Sequence, residues 1–366
     1  MKKLFTLGLL IYACHLNAQL TTPPDGGNKK AWTGEKIGLT DVTINYDRPG
    51  VKGREGKIWG DLIPVGFIDQ GFGSSKSAPW RAGANENTTI EFSTDVMVEG
   101  HAIPAGKYGF FVAYAPNECT LIFSTNSSSW GSFFYNDKED VLRVKVKPQP
   151  LDKPVEWLKY EFGDETPNSA TVRLIWEKLM IPFKVEVNLI NTQLASIRKE
   201  LRTNKGFRWE SWDQAAQWAV RNNTNLDEAL LWTDSSTGPI FGGATVFQSW
   251  TTRADVLNKL GRTAEADAAM KKAMPLANMI QLHQYGKSLL AQKRNKEALD
   301  VFKMNYDKNP NQFTTLMGLT RGYSANADFG NALKYAKLAQ PLAPDVQNKN
   351  FVETAITKLG NRQDIN

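Results

Sequence analysis

From residue 40 to Val187 apolar side chains alternate with polar ones in short runs. Val42, Ile44 and Tyr46 fall on one face of a strand, as do Ile90 with Phe92 and Val96 with Val98. A period of two is what a strand with one buried face requires. Glu99-Gly100 then reads as a turn, and Tyr108 to Tyr114 is a continuous apolar run, expected of a strand covered on both faces. Cys119-Thr-Leu-Ile-Phe123 reads as strand, and Val141 to Val146 alternates again. Val155 to Phe162, Ala170 to Trp176 and Ile181 to Val187 bring the set to about nine strands, separated by Pro, Gly and Asn. Closely spaced short strands without helices between them predict an antiparallel β-sandwich or partly open barrel over residues 40–188. Residues 19–39, rich in turn formers such as Pro23, Pro24, Gly26 and Gly27, read as a loose lead-in.

Near Asn188 the period changes. Leu189, Leu194, Ile197 and Leu201 recur at helical spacing, and Trp209 to Val220 continues it. Further on the chain repeats itself. Ala266, Ala298 and Ala332 stand 32 and 34 residues apart. Twelve positions before them come Ala254, Gly286 and Thr320, small enough for two helices to approach closely. Four after come Met270, Phe302 and Ala336, which fill a groove between hairpins. Twelve after come Asn278, Pro310 and Pro344, and the two prolines are read as stops. In phase and period residues 189–366 resemble a tetratricopeptide array. An earlier unit centres on Ala229, and Asp345 to Leu359 reads as a closing helix over the last apolar face. The fold class is thus α+β in two domains, the second an all-α array of helical hairpins. The resemblance implies a groove for a peptide or protein partner.

Composition narrows the function classes. The chain has 366 residues and a formal charge of +6, which falls to +4 once Lys2 and Lys3 are set aside, with Lys and Arg interspersed among Asp and Glu. A nucleic-acid partner would call for a basic stripe, and none is visible. Lys2-Lys3, the apolar run Leu4 to Ala13 and Ala18 before Gln19 read as a signal peptide over residues 1–18, too short to span a bilayer. The mature chain is therefore expected to be exported, most simply to the periplasm, without a transmembrane segment. An alternative is a lipid anchor at Cys14, within Ile11-Tyr-Ala-Cys14, or full secretion. Beyond the leader only Cys119, His101 and His283 remain of their types. No internal disulfide is possible, a zinc site built from His and Cys is excluded by count, and no cofactor is implied.

One segment stands apart from ordinary strand filler. Arg48-Pro-Gly-Val-Lys-Gly-Arg54 and Ile58-Trp-Gly-Asp-Leu-Ile-Pro64 are followed, after a Gly- and Ser-rich stretch, by Trp80-Arg-Ala-Gly-Ala-Asn-Glu-Asn-Thr-Thr89. With Ile103-Pro-Ala-Gly-Lys-Tyr108, Trp130-Gly131 and Asp140-Val-Leu-Arg-Val-Lys-Val146, these motifs resemble the DUF2911 family of exported bacterial proteins over residues 40–185. Here Phe67 to Pro79 forms a longer loop than many relatives carry. The family name records unknown function.

Chemically, Arg48, Arg54 and Arg81 beside Trp59 and Trp80 suit a pocket for a small anion or a sugar, since guanidinium forks grip carboxylates and stack on aromatic faces. Asn85 and Glu86 would add polar specificity. The competing reading is structural: Arg81 pairs with Glu86, Arg48 and Arg54 cap the Gly-rich turn, and Asn85 bonds backbone in a tight bend. No catalytic constellation emerges. Ser127 to Ser129 lack a nucleophile-elbow setting, and Gly71-Phe-Gly73 and Gly242-Gly243 lack the Lys-Ser/Thr of a phosphate loop. Two functions stay open: a non-enzymatic binding or scaffolding protein, or a hydrolase on an anionic or glycan-derived substrate using Glu86 beside Arg81.

Overall fold

The computed structural model describes residues 27–366. The expected signal peptide, Cys14 and the first part of the lead-in lie outside the described residues. The chain divides into two compact units between Ser196 and Ile197.

The described residues of the first unit form ten strands: β1 (Lys29–Ile37), β2 (Thr40–Arg48), β3 (Thr89–Phe92), β4 (Val96–Val98), β5 (His101–Ile103), β6 (Gly106–Ala113), β7 (Cys119–Ser124), β8 (Asp140–Val146), β9 (Gln149–Thr166) and β10 (Ser169–Glu186). All neighbours run antiparallel, in a six-stranded sheet ordered β1-β2-β3-β6-β7-β8 and a four-stranded sheet ordered β5-β4-β10-β9. The inward residues of the two sheets form one continuous core. Ile44, Phe92, Phe110 and Phe123 come from the larger sheet, and Val98, Leu158, Trp176 and Phe183 from the smaller. Phe110 lies 5.5 Å from Phe183 between ring centres, so the layers interdigitate. β6 is covered on both faces: Phe110 and Val112 enter the core, while Phe111 packs with Ile122 and Tyr135 on the other side.

Three features depart from the sequence reading. Residues 29–37, expected as part of a loose lead-in, form β1, paired with β2 from Lys29↔Arg48 to Ile37↔Thr40. This strand sits at a sheet edge with few buried side chains, and Trp32 is 74% exposed, so backbone pairing rather than patterning defines it. The separate runs Ala170 to Trp176 and Ile181 to Val187 are one strand, β10, as far as Glu186. Its register shifts around Glu177, which has φ +51°. A bulge puts extra residues on one strand and breaks the alternation. The Glu99-Gly100 turn has φ +49° and +79°, the handedness that suits a two-residue hairpin, and it leads into a strand, β5, that the sequence did not announce. β9, at the edge of the smaller sheet, carries Pro150 and Pro154, a placement edges tolerate.

The change of rhythm at Asn188 marks the start of α1 (Leu189–Glu200). The remaining helices are α2 (Trp209–Asn222), α3 (Leu226–Ser236), α4 (Phe247–Lys259), α5 (Thr263–Ala273), α6 (Met279–Ala291), α7 (Asn295–Lys308), α8 (Phe313–Ala325), α9 (Phe329–Ala339) and α10 (Val346–Gly360). They pack as the hairpins α2/α3, α4/α5, α6/α7 and α8/α9, with α10 laid against α9. The first helices of successive units begin at Phe247, Met279 and Phe313, and α10 at Val346.

Ala229, Ala266, Ala298 and Ala332 are all buried in the second helices. Phe302 of α7 is fully buried, and a Cβ added to Gly286 of α6 would sit 2.4 Å from its ring. Cβ atoms at Gly318 and Gly322 of α8 would lie 2.7 and 2.9 Å away. One phenyl ring thus fills the space left by three absent side chains. The stops differ in part from expectation. α7 ends at Lys308 before Pro310, but α9 gives way at Ala339 to a short 3-10 turn holding Pro341, ahead of Pro344. A matching turn at Met274-Pro-Leu276 ends α5. Asn278 caps the next helix, its side chain and that of Gln281 each accepting the other's backbone N–H. Among the described residues no helix is long and apolar enough to cross a membrane.

Candidate functional site

The connection between β2 and β3 folds back along β6. Trp80 exchanges backbone hydrogen bonds with Val112 at 3.0 and 2.8 Å, as an added strand would. The next residues turn sharply, with Ala82 at φ +53° and Asn85 at φ +57°. A non-glycine residue held there costs on the order of 1–2 kcal/mol, so the surroundings must impose it. They do so through side chains. Trp80 Nε1 donates to Gly83 O (3.1 Å) and Arg81 Nη1 to Asn85 O (2.7 Å). Thr88 Oγ1 and Tyr160 OH both donate to Ala82 O, at 3.1 and 2.7 Å. The Trp80 to Thr89 block is therefore a pinned turn whose own residues supply most of the pins.

Beside this turn lies a cavity of about 440 Å³, lined by Arg54, Gln70, Trp80, Arg81, Asn85 and Ser132 with apolar wall from Leu62, Ile63 and Ile68. Four of the seven candidate residues line it: Arg54, Trp80, Arg81 and Asn85. The other three do not. Arg48 turns to β9, its Nε donating to Leu158 O at 2.8 Å. Trp59 joins an aromatic cluster, 5.5 Å from Trp80 and 5.0 Å from Tyr114, and reaches toward Trp176 O. Glu86 forms an ion pair with Lys30, both half-exposed. The expected Arg81–Glu86 pair is not made, because the turn sends the two side chains to different partners.

The two cavity arginines are used differently. Arg54 spends Nε on Val51 O (2.9 Å) and Nη2 on Gly50 O (2.7 Å), capping the Gly-rich turn as the structural reading expects. Arg81 gives only Nη1 to the protein. Its guanidinium lies over the Phe133 ring at 5.5 Å and against the backbone of Gly131. Burial pulls its pKa down, and among the described residues it has no carboxylate partner. Gln70 and Ser132, 62 positions apart, are joined by a 3.2 Å hydrogen bond. Nothing local in the sequence marked either of them. A loop-to-loop approach of that range leaves no periodic signal.

The other candidates stand apart. His101 Nδ1 lies 2.9 Å from Glu99 O inside its own hairpin. Ser129 Oγ donates to Asn126 Oδ1, and Cys119 is buried and free. No cluster of three His, Cys, Asp or Glu residues fit for a metal occurs among the described residues.

The helical unit has its own candidate surface. The alternate helices α6, α8 and α10 line a groove of about 360 Å³, with His283, Gln284 and Lys287 from the first, Phe313, Met317 and Arg321 from the second, and Asn348 and Phe351 from the third. Burial, then the nearby Lys287 and Arg321, pushes the His283 pKa down to about 4. Arg321 stacks over Phe351 at 4.8 Å. No acidic residue lines this groove.

No curated protein matches the chain. Among solved structures, YrrB, described as a TPR protein with an unusual peptide-binding site, is 15% identical over 46% of this chain and 86% of its own, with a TM-score of 0.32. MamA from Desulfovibrio magneticus RS-1 is 16% identical over 42% of this chain and 90% of its own, with a TM-score of 0.29. The APC/C hetero-tetramer Cut9-Hcn1 is 14% identical over 47% of this chain and 34% of its own, at 0.30. The family model of DUF2911, a protein of unknown function, matches residues 28–185, taking in β1. Residues 28–185 thus match the DUF2911 family model, and the chain continues beyond them into an array of tetratricopeptide-like hairpins.

Proposed function

We propose that this chain is a non-enzymatic binding or scaffolding protein, exported to the periplasm, whose helical array holds an extended segment of a partner protein. The observation that carries this reading is the groove shared by α6, α8 and α10. Three alternate helices offer it polar and aromatic side chains together with the two cations Lys287 and Arg321, and no acid. Ile280 is exposed at its wall. Such a surface favours a segment carrying carboxylates and an apolar anchor. A hydrolase built on Glu86 and Arg81 gains no support, since Glu86 lies outside the cavity and engages Lys30.

The test is capture of partners from a periplasmic extract by the chain lacking residues 1–18, compared with its Lys287→Glu/Arg321→Glu variant and with a chain ending near residue 190. Partners should be held by the intact chain and lost from both others. Equal capture by the chain ending near residue 190 would move the binding function out of the array.

A further inference from the structure

Beyond the helical groove, we propose that the cavity beside the Trp80 turn is a binding site for a small hydroxylated carboxylate, such as a sugar acid, with Arg81 as its anion clamp. The cavity is lined by two arginines and by no Asp, Glu or Lys. A cleft of that charge favours an anion over a neutral or cationic guest. The division of labour between the arginines narrows the guest further. Arg54 has committed Nε and Nη2, the two donors of one guanidinium edge, to backbone carbonyls. Arg81 keeps that same edge without a protein partner, having given only Nη1 to Asn85 O. One open Nε/Nη2 fork matches one carboxylate, whose two oxygens take parallel hydrogen bonds. Phe133 and Gly131 pack on the guanidinium and hold the plane of the fork.

A second polar group points to a hydroxyl. Gln70 Nε2 donates to Ser132 Oγ, while Gln70 Oε1 is buried with no hydrogen-bond partner. A buried amide atom left unpaired costs on the order of 1–3 kcal/mol, and a hydroxyl satisfies it whichever way the amide head is turned, because it both donates and accepts. Trp80 and the apolar side chains of Leu62 and Ile68 line the same cavity. Indole and aliphatic walls suit the C–H faces of a sugar ring.

The experiment is isothermal titration of the chain lacking residues 1–18 with sodium D-glucuronate, D-glucose, acetate and inorganic phosphate. Glucuronate should bind at least about tenfold more tightly than glucose or acetate, since each of these lacks one of the two polar partners. Arg81→Gln should weaken glucuronate about 30-fold, the loss of a charge-assisted pair. Arg81 also holds the turn, so a second variant leaves its bonds intact: Ala84→Leu adds bulk at the cavity lining and should abolish binding with an unchanged melting temperature. Glucose binding as well as glucuronate would overturn the anion clamp. Phosphate binding more tightly than any carboxylate would overturn the assignment of ligand class. Absence of any glucuronate heat up to about 10 mM, a threshold near the weakest useful affinities, or full binding by Ala84→Leu, would overturn the site itself.

Discussion

The two units solve the burial problem in opposite ways. The β unit gathers large side chains into one continuous core, with Trp176, Phe92, Phe110, Phe123 and Phe183 all fully buried. The helical unit divides its interior into separate clusters between neighbouring helices, built from alanines around a few larger side chains, with glycines facing Phe302. A shared core is felt everywhere at once, whereas a stack of small ones confines damage to neighbours. The difference also decides where binding chemistry sits. In the β unit polar groups converge in loops held by unusual backbone. In the array they ride on the faces of ordinary helices.

The strongest way to break this comparison is to remove one core ring. Phe183→Ala should cost about 4 kcal/mol and lower the urea midpoint of all β-unit signals together, because the ring touches Phe110 and Phe123 of the opposite sheet. A loss confined to β10, seen by amide exchange, would contradict a single shared core. Next in size is a pH effect in the array. Burial holds the folded pKa of His283 at about 4, below the ordinary 6.5. The unfolded chain therefore takes up the proton first. Stability is fully present above pH 6.5 and is lost as pH falls toward 4, by about 2 kcal/mol after allowance for partial exposure. His283→Gln should flatten that slope in urea unfolding between pH 7.5 and 4.5, with the β-unit signals unaffected.

The smallest effect is a matched pair of glycines. Gly286→Ala gains about 1 kcal/mol of helix propensity but forces a methyl against Phe302, costing about 1–3 kcal/mol, so a net loss is expected. Gly330→Ala, whose new methyl would meet nothing closer than 3.8 Å, should stabilise by about 0.5 kcal/mol. The same sign for both in thermal melts would show that the α6/α7 contact yields more easily than its geometry implies.

Much of this layout is legible in the sequence. The alternation at Val42, Ile44 and Tyr46 marked a buried sheet face, and Ala266, Ala298 and Ala332 set the phase of the array, because buried faces repeat with the period of their backbone. β1 was hidden because its edge position buries little, and β10 was split because the bulge at Glu177 interrupts its rhythm. At the cavity, residue chemistry selected Arg54, Trp80, Arg81 and Asn85, but it also drew in Arg48, Trp59 and Glu86. Which of seven neighbouring polar or aromatic residues share a space depends on the direction of a turn, and Ala82 and Asn85 set that direction with left-handed backbone angles, which alanine rarely adopts and asparagine tolerates. Gln70 and Ser132 meet through tertiary approach alone.

The outer flank of β9 has a consequence for life at high concentration. Pro150 and Pro154 take two N–H groups out of that margin, Leu158 N and Glu156 O are engaged by Pro49 O and Val51 N, and Tyr160 N donates to Tyr46 OH. A stray chain seeking to extend the sheet would find few free places to dock. The Pro49-Gly50 corner, whose proline also lines the cavity, thus covers part of an edge that another chain could otherwise extend.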